Sequence, residues 1–202
     1  HDAFLTHKGK KLMVASYDDS IVTAIDLEKR KIIKKLPAGC VPHVGGGAAV
    51  KVDGRTLGFG TNFGTCDDNT VVSVWDLDTM KVVKQIPVSG GTESPAAHAN
   101  APYVAVDIIT KDRRARTIQL IDKKSLEVVK TLDVGGHAYF PEYSADGKYL
   151  YVSAGYAGDE VIVYDSHTLK KTANIQMESP AGIFSRGRVK YMTRGLSPDE
   201  ME

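Results

Sequence analysis

Four stretches of the chain carry one pattern of apolar and polar positions: SIVTAIDLEKRKIIKKLPA, TVVSVWDLDTMKVVKQIPV, RTIQLIDKKSLEVVKTLDV and DEVIVYDSHTLKKTANIQM. They align without gaps on Asp26, Asp76, Asp122 and Asp165, which lie 50, 46 and 43 residues apart. Two positions before each aspartate stands Ala24, Val74, Leu120 or Val163, and ten after it Leu36, Ile86, Leu132 or Ile175. The run that ends at the aspartate alternates with a period of two, the signature of a half-buried strand. The aspartate and the polar residues after it suit a tight turn, because short side chains bond the local backbone there. A second β-branched run follows. Each copy therefore predicts a hairpin, near residues 20–38, 70–88, 116–134 and 159–177, and the recurring aspartates read as turn residues rather than catalytic ones.

Ahead of each hairpin lies a further turn and strand: Lys8-Gly9 before KKLMVAS, Asp53-Gly54 before RTLGFG, Asn100-Ala101-Pro102 before YVAVD, and Asp146-Gly147 before KYLYVS. With one more short strand upstream, each repeat holds four strands and no helical periodicity, which is the plan of a β-propeller blade. The fold class is therefore all-β, with residues 1–202 forming about four blades. Propellers usually hold four to eight blades, so the expectation is the carboxy-terminal half of an eight-bladed ring, beginning inside a blade. The links from each outer strand to the next inner strand, at 41–47, 90–95, 135–140 and 179–184, are expected together on one face around a pocket. They are rich in glycine and proline, and glycine lets backbone approach a large flat ligand.

Composition narrows the class. Lys and Arg number 26 against 25 Asp and Glu, a net charge of +1 that argues against a dedicated nucleic-acid binder. No apolar run approaches the ~18 residues of a membrane helix, so the chain is not expected to span a bilayer. Two cysteines, Cys40 and Cys66, make neither a disulfide framework nor a four-cysteine zinc site. There is no Cys-x-x-Cys-His, so no c-type heme is attached to these residues. Gly45-Gly46-Gly47 lacks the ending of a phosphate loop, and no nucleophile elbow is present.

Histidine is the informative residue type. His43 and His137 fall in the links, and His1 stands at the equivalent point before the first inner strand, so three imidazoles could converge on one ligand as metal ligands or proton donors. His7 and His167 fall at turns. Arg113, Arg114 and Arg116 read as a solvated outer loop. Arg186 follows the last link and could fork onto a ligand carboxylate.

These residues resemble the d1-heme propeller of the cytochrome cd1 nitrite reductase superfamily. The resemblance rests on His1-Asp2, on Val-Pro-His-Val-Gly-Gly-Gly at 41–47, on Phe-Pro-Glu-Tyr at 140–143 and on Ser-Pro-Ala-Gly-Ile-Phe at 179–184. The last motif is most similar to the NirF family of heme d1 biosynthesis proteins. The resemblance implies that His1 and His43 stand over the distal face of a d1-type macrocycle, as catalytic groups or against its iron. It implies cofactor contacts from His43, Gly45, Gly46, Gly47, His137, Tyr139, Phe140, Ala181, Gly182 and Arg186. Gly46, Phe140 and Ala181 depart from the reductase, where polar residues stand, which implies fewer polar contacts to the edge of the macrocycle. The reductase's proximal iron ligand comes from an earlier blade, outside this sequence.

The implied function is binding of heme d1 or its precursor during heme d1 biosynthesis in the periplasm. Whether that includes an oxidoreductase or side-chain-modifying step on the tetrapyrrole is open. Implied partners are the tetrapyrrole, other heme d1 biosynthesis proteins and nitrite reductase. Two alternatives stand beside it: the d1 domain of a cytochrome cd1 nitrite reductase, and a propeller scaffold without cofactor.

Overall fold

In a computed structural model of the chain, residues 2–64, 70–110 and 112–183 are described. The sequence-predicted His1 and Arg186, with Phe184 and Cys66, lie outside them. The repeats fold as four antiparallel four-stranded sheets, each a simple up-and-down meander. The first holds β1 (Ala3–Thr6), β2 (Lys11–Ser16), β3 (Ile21–Asp26) and β4 (Lys31–Pro37). The second holds β5 (Pro42–Val52), β6 (Arg55–Asn62), β7 (Val71–Asp76) and β8 (Lys81–Pro87). The third holds β9 (Pro95–Ala96), β10 (Tyr103–Asp107), β11 (Thr117–Asp122) and β12 (Val128–Asp133). The fourth holds β13 (His137–Tyr143), β14 (Tyr149–Gly155), β15 (Glu160–Asp165) and β16 (Lys171–Gln176). Among the described residues the only helical element is a 3-10 turn at Arg113–Arg116. The first strands of successive sheets, β1, β5, β9 and β13, neighbour one another. The sheets are blades around these inner strands, and the first blade is complete from β1 onward.

Period-two alternation decides which face each side chain joins. In β7, Val72 and Val74 enter the core between the second and third blades, with Leu57, Phe59, Val104 and Val106. Trp75 points the other way, into the core with Phe4, Met13, Val22 and Leu36 of the first blade. In β10, Ala105 turns from Val104 and Val106 to join Ile118 of its own blade and Leu150, Val152 and Ile162 of the fourth. Burial on both faces explains why β7, β11 and β15 are mostly apolar, whereas the outer strands are largely exposed, β16 along its whole length.

The recurring aspartates do what their turns require. Asp76 accepts N–H bonds from Asp78 and Thr79, Asp122 from Lys124 and Ser125, and Asp165 from His167 and Thr168. Four residues beyond each aspartate the backbone is left-handed, at Arg30, Met80, Leu126 and Leu169, with φ between 52° and 56°.

All these turns lie at one end of the blades, and the links lie at the other. The opposite end is marked by the bonds of Phe63 N to Val41 O, Thr92 N to Asn62 O, and Ile109 N to Gly91 O. One expectation needs correction there. Residues 42–47 are not a free link but the start of β5, where Pro42 and His43 pair with Asn62 and Thr61 before the register breaks, to resume at Ala48. Arg113, Arg114 and Arg116 are exposed, as a solvated loop requires. Their segment closes β10 to β11 on the link face, where the Arg114 guanidinium donates to the Ser89 carbonyl at 2.6 Å.

Candidate functional site

The bulge in β5 sets up His43. A bulge inserts unpaired residues into one strand and re-aims the side chains beside it. Between the paired positions His43 and Ala48 the chain runs Val-Gly-Gly-Gly, opposite a single residue, Gly60, between Phe59 and Thr61. Gly47 lies where a Cβ would meet the Val44 carbonyl at 3.0 Å, so the tight path of the bulge favours a residue without a side chain there. Pro42 fixes the entry of the strand.

His43 is held on several sides. Its Nδ1 lies 2.8 Å from the Glu93 carbonyl of the third blade. A carbonyl only accepts, so Nδ1 carries its hydrogen and the exchangeable position is Nε2. Nε2 faces Asp2 Oδ2 of the first blade at 3.4 Å, and the same carboxylate oxygen accepts the Val44 N–H at 2.9 Å. The imidazole lies against the Phe63 ring, with centroids 4.8 Å apart, and Phe63 in turn meets Tyr17 edge-on at 6.1 Å. Three blades therefore fix one imidazole.

Glu93 stands beside it. Its carboxyl is half-buried, and burial raises its pKa while His43 pulls it down. The same carboxylate acts on Tyr17 and Tyr139, whose phenols are raised first by burial and then by neighbouring negative charge. Below it, Asp107 is wholly buried at the end of β10. It accepts N–H bonds from Glu93 at 2.8 Å, Ser94 at 2.9 Å and Phe140 at 3.0 Å. Burial outweighs these donors and pushes its pKa up to about 6.

The fourth blade repeats the inner-strand bulge. The register of β13 shifts between Tyr139 and Glu142, and Phe140 is left-handed at φ 40°. Tyr139 joins His137 and Tyr156 in an aromatic cluster with centroids 5.3 to 6.1 Å apart. Gly182, at φ 131°, lies where a Cβ would meet the Phe140 side chain at 2.9 Å, so the link through Ala181 and Gly182 closes over this blade, with Ala181 exposed.

The structure thus gathers His43, Glu93 and Tyr139 around one face, with His137 in the adjoining aromatic cluster. The expected convergence of His1 with His43 and His137 involves a residue outside the described ones; among the described residues no three His, Cys, Asp or Glu side chains are grouped to hold an ion. Sequence reasoning passed over Tyr17, Thr61, Phe63, Asp107 and Tyr156, and read Glu93 only as part of a link. The available signal for Asp107 was an acid ending the apolar run YVAVD and followed by Ile108-Ile109 instead of turn residues.

Comparison with known proteins places this geometry. The model of the cytochrome D1 heme domain family matches residues 1–189. The dihydro-heme d1 dehydrogenase of Pseudomonas aeruginosa is 30% identical over 178 residues, 86% of this chain and 34% of that protein. Protein NirF of Stutzerimonas stutzeri is 26% identical over 200 residues, 93% of this chain and 48% of that protein. The chain therefore spans about a third to a half of the length of these relatives. Among solved structures, dihydro-heme d1 dehydrogenase NirN in complex with DHE superposes with a TM-score of 0.79 at 29% identity, covering 90% of this chain and 38% of NirN. Hydrazine synthase of Kuenenia stuttgartiensis shares the fold, with a TM-score of 0.69 at 19% identity, over 87% of this chain and 48% of that one. Repeat, blade architecture and the family match over nearly the whole chain lead to one conclusion: the chain belongs to the cytochrome D1 heme domain family.

Proposed function

We propose that these four blades are part of an eight-bladed propeller that binds heme d1 or its immediate precursor and acts in heme d1 biosynthesis in the periplasm. The observation that carries the reading is His43, clamped by Glu93 and Asp2 and backed by Phe63 on the face where the links meet. The residues there fit a flat macrocycle. Tyr17, Phe63, Tyr139 and Tyr156 offer aromatic surface, and the bulges at Gly45–Gly47 and at Phe140 bring backbone to the same face. Relatives point the same way, since the structure of NirN is of a complex with DHE and NirF is a named relative.

When bound, heme d1 supplies the redox-active iron and the conjugated ring. His43 would meet the ring through Nε2, the nitrogen at which a proton would be exchanged and which Asp2 orients at 3.4 Å. Both imidazole nitrogens already face oxygen acceptors, so proton transfer suits His43 better than ligation of iron. Tyr139 and Phe140 would hold the plane, with His137 beside Tyr139, and Ala181 and Gly182 would border it. By resemblance, His1 would act with His43 and Arg186 would pair with a ring carboxylate. Reaction on a ring side chain and simple delivery of the tetrapyrrole to a partner protein both use this constellation.

Deletion of the gene in its own organism tests the role. Heme d1 content is expected to fall, to be restored by the wild-type protein, and to remain low with His43→Ala. Unchanged heme d1 content in the deletion strain would overturn the reading.

A further inference from the structure

We propose that Asp107 is the positioning residue of the His43 site, fixing the imidazole tautomer through the Glu93 backbone. The inference rests on the reading of His43 as the proton-exchanging group over the ring. Asp107 does not touch His43. Its Oδ1 accepts the N–H groups of both Glu93 and Ser94, at 2.8 and 2.9 Å. Two such bonds to one oxygen fix the orientation of the peptide planes on either side of Glu93. The Glu93 carbonyl is thereby presented to two donors of the second blade: His43 Nδ1 at 2.8 Å and Thr61 Oγ1 at 2.8 Å. Thr61 Oγ1 lies 2.9 Å from the His43 carbonyl as well, which joins the two strands at the same point.

The other oxygen, Oδ2, accepts the Phe140 N–H at 3.0 Å, at the left-handed residue of the fourth blade's bulge. One carboxylate with no exposed surface thus ties the third blade's link to both neighbours. Three convergent N–H groups call for an acceptor with two oxygens, and a carboxylate offers both without a competing donor. Aspartate at this position means that when Nδ1 donates to Glu93, Nε2 is left as the atom that gains and loses a proton at the ring face.

The imidazole nitrogen resonances of the ligand-free protein, at a pH where His43 is neutral, test this directly. Wild type is expected to show the Nδ1–H tautomer alone. Asp107→Ala removes the oxygen that holds the Glu93 and Ser94 N–H groups, and should give a several-fold rise in the Nε2–H tautomer. Thr61→Val, which leaves Asp107 in place, should keep the wild-type tautomer. A folded Asp107→Ala protein with an unchanged tautomer would overturn the proposal. Should that variant not fold, wild type carries the test: the amides of Glu93, Ser94 and Phe140 and the His43 Nδ1–H should be protected from exchange together. A rapidly exchanging Glu93 amide beside a protected Nδ1–H would equally overturn it. Because these readouts need no tetrapyrrole, they separate from the binding reading. Heme d1 titration of Asp107→Ala should show about tenfold weaker binding than wild type, whereas a tautomer change in a protein that binds no heme d1 would refute the binding reading alone.

Discussion

At the scale of single residues, burial and hydrogen bonding pull the acids of this protein in opposite directions. Asp107 ionises near pH 6 in the fold against 3.8 when exposed. Between those values the unfolded chain releases its proton first, so this residue's contribution to stability falls as pH rises from about 4 to about 6. A shift of about two pKa units corresponds to about 3 kcal/mol. Urea unfolding of wild type and Asp107→Asn at pH 4 and pH 7 should therefore show the variant gaining up to about 3 kcal/mol relative to wild type between the two. A constant difference would contradict the burial argument. Asp122 and Asp165 behave in the opposite sense, because N–H bonds from Ser125 and Thr168 hold their carboxyls below the ordinary value; their contribution is present above pH 4 and is lost as pH falls through the lowered pKa. For Asp76, burial opposes ionisation, but the bonds from Thr79 and Asp78 prevail. Asp76→Ala should cost about 1–2 kcal/mol and Asp76→Asn, which keeps an acceptor, less than half of that; equal losses in thermal unfolding would contradict the role of the acceptor.

At the scale of strands and turns, the sequence is legible where one local rule governs and silent where two chains meet. The alternation around Asp26, Asp76, Asp122 and Asp165 yields strands and turns because side-chain period and turn chemistry are local properties. Left-handed Arg30, Met80, Leu126 and Leu169 carry no such mark, since none is the glycine or asparagine that usually takes that conformation. The bulge of β5 was legible as glycine, but not as a strand, because the pairing of His43 with Thr61 depends on β6. Glycine in β6 has a different reason. A Cβ on Gly60 would run into the Trp75 ring, whose Nε1 donates to the Pro37 carbonyl at 3.3 Å. Gly60→Ala should cost about 1–3 kcal/mol by overpacking and shift the emission of this single tryptophan; unchanged stability and emission would show that the ring has room to move.

Across the whole molecule, the candidate site belongs to no one blade. Asp2 and Tyr17 come from the first, His43, Thr61 and Phe63 from the second, Glu93 and Asp107 from the third, and Tyr139 and Phe140 from the fourth. The motif around His43 could be read in the sequence because its residues are contiguous. Asp107 is marked only as an acid ending an apolar run; its role could not be read, because its three donors come from residues 14, 13 and 33 positions away and only the arrangement of the blades brings them together. The central claim is that this shared face receives heme d1 beneath His43. Titration of the wild-type protein and His43→Ala with heme d1, followed by visible absorption, tests it most directly. The expected result is saturable binding by wild type with a shifted spectrum, and for His43→Ala a different spectrum with affinity lower by about 1–3 kcal/mol. Identical spectra and affinities for the two proteins, or no spectral change with either, would contradict it.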